Sequence, residues 1–176
     1  MPIALESASP IDALDAVKRF VVEDLRMPEP YVREFPLLVH ALARDDQGKW
    51  MPRTLQVGWL FAIVDSDEER ASEVVIFERE TDTCTYLPEG AADIFERAME
   101  WAEALEDPCL VRLLRVPGHD DVFWTLDGKN ETFFPLSHGF AVPGVEMAQL
   151  LKTLDSDTPP ADKDDGEDPE WPEEDE

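Results

Sequence analysis

The sequence predicts an α+β domain: an antiparallel, strongly bent sheet of five to seven strands packed by three helices and followed by a disordered acidic tail. Three observations lead there. Stretches with apolar residues at helical spacing are separated by runs of several short extended segments, whereas parallel α/β folds alternate strand and helix strictly. The extended segments are joined by short polar turns, which favour antiparallel neighbours. After Leu154 the composition changes abruptly to acids and prolines.

The first helix is announced by Ser9, an N-cap residue, with Pro10 at the first helical position and Asp12 as the acid of a capping box. Leu14, Val17, Val21 and Leu25 then recur on one face, and Pro28 and Pro30 end the helix after Met27. Residues 37–43 read as a strand leading into the polar turn 44–49. Residues 54–64 alternate Leu55, Val57, Trp59, Phe61 and Ile63 on one face of a second strand. Residues 74–77 and 84–87 continue the meander. Pro88, Glu89 and Gly90 break it.

A second helix, to about Glu106, follows from the stripe Ile94, Phe95, Ala98, Trp101, Ala102 and Leu105, with Asp93, Glu96, Arg97, Glu100 and Glu103 placed outside it. Residues 110–116, 122–126 and 133–142 read as strands, the last two joined by the hairpin signal Asp127-Gly128-Lys129-Asn130. Pro143 and Gly144 open a short third helix carrying Met147, Leu150, Leu151 and Leu154. The domain therefore spans residues 1–154. Residues 155–176, with four prolines, twelve acids and Trp171 as the one large apolar residue, bury too little surface to offset the entropy of ordering.

The charge balance constrains function more than any motif. The chain has 41 acids against 15 Lys and Arg, a formal net charge of −26, of which −15 belongs to residues 1–154 and −11 to the tail. Such a charge opposes direct binding to nucleic acid or anionic lipid and draws in basic proteins over long range. It also serves solubility. Cys84 and Cys109 are too few and too far apart for a zinc ribbon and read as buried, reduced apolar residues. The first residues lack a basic and apolar leader, and no run approaches the ~20 apolar residues of a membrane span, so a cytoplasmic location is expected.

The sequence contains no glycine-rich phosphate loop, dinucleotide fingerprint, paired helical histidines or Gly-x-Ser-x-Gly elbow. Asp65 and Glu78 lack the accompanying lysine of a metal-dependent nuclease and read as a solvated strand edge. His119-Asp120-Asp121, following Pro117-Gly118, has the residue types to hold a metal but equally the form of an exposed turn. His138 follows Ser137, but neighbours on a strand point to opposite faces and make no dyad. His40, inside an apolar strand, reads as a partly buried hydrogen-bonded side chain. No catalytic residue, metal or cofactor is therefore assigned.

Aromatic residues point elsewhere. Trp59, Phe61 and Trp124 fill the core, whereas Trp50, beside Met51-Pro52 in a loop, reads as an exposed anchor. Trp171, followed by Glu173, Glu174 and Asp175, has the form of a short linear motif in which one ring fills a pocket and the acids meet a basic rim. The order of elements from Ser9 to Leu154 resembles that of the small acidic chaperones of type III secretion. That resemblance implies helices flanking a bent antiparallel sheet and pairing of two copies as a homodimer; it rests on element order and brings no functional residue. The expected function is a non-enzymatic acidic protein of chaperone, immunity or inhibitor (DNA-mimic) type that masks or holds a basic protein partner. The alternative is a small enzyme or ligand-binding domain with a pocket built from His119, Asp120, Asp121 or His138.

Overall fold

The computed structural model describes residues 11–25, 31–34, 36–64, 69–128, 130–137, 142–143, 149 and 152. They form an α+β structure with two helices and one open sheet. In chain order the elements are α1 (Ile11–Leu25), β1 (Tyr31–Val32), β2 (Leu37–Arg44), β3 (Trp50–Val64), β4 (Ala71–Glu78), β5 (Thr83–Tyr86), α2 (Ala91–Glu103), β6 (Leu110–Arg115), β7 (Val122–Asp127), β8 (Asn130–Pro135) and β9 (Val142–Pro143). Seven of the strands have four residues or more. Of the expected third helix only Gln149 and Lys152 fall among the described residues; Met147, Leu150, Leu151 and Leu154, and the acidic tail, lie outside them.

The sheet runs β5-β4-β3-β2-β6-β7-β8-β9, and β1 pairs with β3 alongside β2. Every pairing is antiparallel except β2 with β6, where Leu38 to Ala41 run parallel to Arg112 to Arg115. The parallel seam is a departure from the all-antiparallel expectation. Its cause is α2: a parallel pair requires a crossover connection, and α2 lies between β5 and β6 in the chain.

Alternation along β3 and β4 sends side chains to both faces of the sheet, and each face has its own helix. On one face, α2 lays Ala91, Ile94, Phe95, Ala98 and Ala102 against Leu60, Ala62, Val74, Ile76, Leu113, Phe123 and Phe134. On the other, α1 lays Ala13, Val17 and Val21 against Trp59, Phe61, Ile63, Val75 and Phe77. A third cluster joins Leu42, Trp50, Leu114, Val122, Trp124 and Phe133 at the β6–β8 end. Burial of a single such Leu, Ile or Phe is worth about 1.5–3 kcal/mol, so these clusters supply the main drive to fold.

The best strand is longer than its pattern suggested, because the turn at residues 44–49 closes tightly. Asp45 Oδ1 accepts the Gln47 and Lys49 N–H groups at 2.9 Å each, and Arg44 pairs with Trp50. β3 also departs from simple alternation. A bulge opposite Val39 and His40 turns Val57 into the cluster under α2 and leaves Leu55 63% exposed. Next to it stands Gly58, where a Cβ would meet the Phe77 carbonyl oxygen. Glycine is required there for β3 and β4 to approach.

Two further differences concern the ends of elements. α2 stops at Glu103, with the Ala104 N–H bonded back to the Glu100 carbonyl, before reaching Leu105. The strand expected over residues 133–142 is instead β8, which ends at Pro135, with β9 a separate two-residue segment returning to pair with Phe133 and Thr132. The hairpin of residues 127–130 forms as expected, with Asp127 opposite Asn130 and Gly128 at φ 56°.

Candidate functional site

A concavity that collects chemistry-bearing side chains lies at the connection between β6 and β7. It is a cleft of about 400 Å³ lined by Pro88, Arg115, Val116, Pro117, Gly118, His119, Asp120, Asp121 and Leu136. That volume falls within the range of small-ligand sites. Its rim is a turn that the sequence specifies closely. Pro117 takes the second position, Gly118 has φ 78°, and the His119 N–H donates to the Val116 carbonyl at 3.0 Å, as a type II turn demands. The far wall is fixed by the Leu136 N–H donating to the Asp121 carbonyl at 3.0 Å.

Arg115, the last residue of β6, is held from two sides. Its Nη1 donates to Glu78 Oε1 at 2.8 Å, and its Nε lies 3.5 Å from Asp121 Oδ2. Glu78 belongs to β4, two strands beyond β2, and stands opposite Gly58 of β3. Arg115 thus ties the two halves of the sheet across the parallel seam. Burial pushes the Asp121 carboxyl above its ordinary value, and Asp120 adds to the rise, while the Arg115 guanidinium and the Val116 N–H pull against it. Only 15% of the Asp121 side chain is exposed. The cleft therefore presents a carboxylate poorly supplied with water beside an arginine already engaged.

Of the residues singled out in the sequence, the structure brings His119, Asp120 and Asp121 together in this cleft. Among the described residues, no group of three or more His, Cys, Asp or Glu is arranged to hold a metal ion. His138, Trp171, Glu173, Glu174 and Asp175 lie outside the described residues.

Trp50 is corrected. It is the first residue of β3, is 6% exposed, and belongs to the third apolar cluster; it is neither in a loop nor an exposed anchor. The Arg44 guanidinium lies 4.0 Å from its ring centroid, and the His119 ring sits 6.3 Å away. Trp50 therefore supports the His119 turn from behind. The tight turn before it places Trp50 on a strand facing a core, a pairing that the Met-Pro sequence concealed.

Cys109 is buried and Cys84 partly so; both are free thiols whose pKa burial raises. His40 is half-buried as expected, with Nδ1 2.9 Å from Thr54 Oγ1. Sequence reasoning missed Arg115 and the role of Glu78. A strand-ending arginine four residues before a His-Asp-Asp turn was the available signal, but only the sheet order shows that Glu78 is within its reach.

Comparisons with protein-family models, curated proteins and solved structures return no match. Among the described residues, no helix is long and apolar enough to cross a membrane.

Proposed function

We propose that this protein is a non-enzymatic acidic binding protein that holds or masks a partner with a basic surface. The observation that carries the reading is how its charges are distributed. The outer faces of both helices carry exposed acids, Asp12, Asp15, Glu23 and Asp24 on α1 and Asp93, Glu100 and Glu103 on α2. Several of the few cations are paired within the chain: Arg33 to Glu96, Arg70 to Glu100 at the surface, and Arg115 to Glu78 and Asp121. Among the described residues, exposed carboxylates thus stand on the helices of both sides of the sheet, in a chain whose formal excess is −26. A surface of that kind attracts basic proteins and repels nucleic acid.

In this reading the short third helix that Pro143 and Gly144 open carries Met147, Leu150, Leu151 and Leu154. Residues 155–176 form an acidic tail whose Trp171 anchors in a partner pocket while Glu173, Glu174 and Asp175 meet its rim. The chain works in the cytoplasm, as a monomer or a homodimer, in the manner of a chaperone, an immunity protein or an inhibitor.

Capture with the tagged full chain, followed by titration of the purified partner, tests the proposal. The expected partner has a basic contact surface, and Trp171→Ala weakens its binding by about 2 kcal/mol, as for an aromatic hot spot. A partner with a neutral or acidic contact surface overturns the reading.

A further inference from the structure

We propose that the cleft between the β6–β7 turn and Leu136 is a receptor for one basic side chain, arginine or lysine, of the protein partner. The inference rests on the reading above and assigns it a specific point of contact. The cleft has the two parts that a long cationic side chain needs. Pro88, Val116, Pro117 and Leu136 offer apolar wall for the methylene stem. Asp120 and Asp121 offer carboxylates for the charged head, which donates several hydrogen bonds and has no acceptor.

The charge count favours a cation over other ligands. Arg115 contributes one positive charge to the lining, whereas Asp120 and Asp121 contribute two negative ones, and Glu78, bonded to Arg115, adds a third beside it. An anionic ligand would face these carboxylates and an arginine already engaged by two of them. A neutral ligand would leave the lining with two carboxylates to one guanidinium, Asp121 being 15% exposed and held by the Val116 N–H and by Arg115 at 3.5 Å. A second cation offsets that deficit with charge-assisted hydrogen bonds.

The rest of the site is rigid. The type II turn fixes Asp120 relative to β6, the Leu136 N–H to Asp121 carbonyl bond fixes β8 relative to the turn, and Trp50 backs His119. A preformed cleft spends little ordering entropy when it is filled.

Nuclear magnetic resonance titration of the full chain with N-acetyl-Gly-Arg-Gly-amide tests the assignment, using the peptide with neutral citrulline in place of arginine as control. The arginine peptide is expected to shift the Gly118, Asp121 and Leu136 amides saturably, and the citrulline peptide at least tenfold more weakly. Asp121→Asn should weaken binding of the arginine peptide tenfold or more. Asp120→Asn, an exposed position that leaves the fold unchanged, should weaken it severalfold. Equal binding of both peptides, or shifts confined to the acids of α1 and α2, overturns the assignment.

The purified partner separates this inference from the wider one. If the Asp120→Asn, Asp121→Asn double variant holds the partner with unchanged, salt-sensitive affinity, the cleft is not the contact point although a basic partner is bound. If the arginine peptide fills the cleft but the partner's contact surface proves neutral or acidic, the cleft stands and the wider reading fails.

Discussion

Glu96 and Ala71 are joined by one of the shortest polar contacts in the fold: Glu96 Oε1, from the buried side of α2, accepts the Ala71 N–H at 2.6 Å. The same oxygen lies 3.3 Å from Arg33 Nη2, and Arg33 Nη2 also donates to the Glu69 carbonyl at 2.7 Å. One carboxylate thereby satisfies the start of β4 and neutralises the arginine that follows β1. Its residue is 8% exposed although the surrounding helix positions Asp93, Arg97 and Glu100 face water.

Glu96→Gln should therefore destabilise the fold by about 2–3 kcal/mol, because the Ala71 N–H keeps a weaker acceptor while Arg33 loses its counter-charge. Chemical denaturation at neutral pH measures it. Glu100→Gln, whose partner Arg70 is more than half exposed, should cost less than about 1 kcal/mol. Equal effects at the two positions would show that Glu96 is not the tie described.

Gly58→Ala should cost about 3 kcal/mol or more, since the added methyl meets the Phe77 carbonyl and must push β3 from β4. Gly48, whose φ is 75° but which has open space around it, offers a comparison in which only backbone strain operates. Thermal unfolding of the two alanine variants should rank Gly58 well below Gly48. The reverse order would mean that the β3–β4 approach is easily relaxed.

Much of the fold is legible in the sequence because its elements follow simple periods. α1 and α2 carry full apolar stripes, and the hairpin signal at residues 127–130 names its turn directly. The parallel seam of β2 and β6 was not legible, since strand order depends on long-range packing that no local pattern encodes. Glu96 was misplaced for a related reason: helical periodicity sees a carboxylate among carboxylates and cannot see the Ala71 N–H that it accepts. At the cleft, the turn and its His119-Asp120-Asp121 were readable from Pro117-Gly118. Arg115 and Glu78, distant in sequence, become neighbours only through the sheet order, and Trp50 became a core residue only through the turn that closes onto Arg44.

Acidification should act through His40. Burial holds its pKa below the ordinary value of 6.5, so the unfolded chain takes up the proton before the folded one does. The neutral ring contributes stability that is present above about pH 6.5 and is lost as pH falls below it. Trp124 stands edge-on to the ring at 6.4 Å, and Arg112 lies on the same face of the adjoining strand. Denaturation midpoints measured from pH 7.5 to 5 should drop less in His40→Asn than in the parent. An unchanged pH dependence would place the titrating group elsewhere.

The central claim, that a basic partner is held by charge, is tested most directly by the salt dependence of its association with the full chain. Stopped-flow mixing with the captured, purified partner should give an association rate that falls roughly tenfold or more between about 50 and 500 mM NaCl, as screening shortens the reach of the carboxylates. The dissociation rate should change far less. An association rate that stays constant across that range would contradict the account.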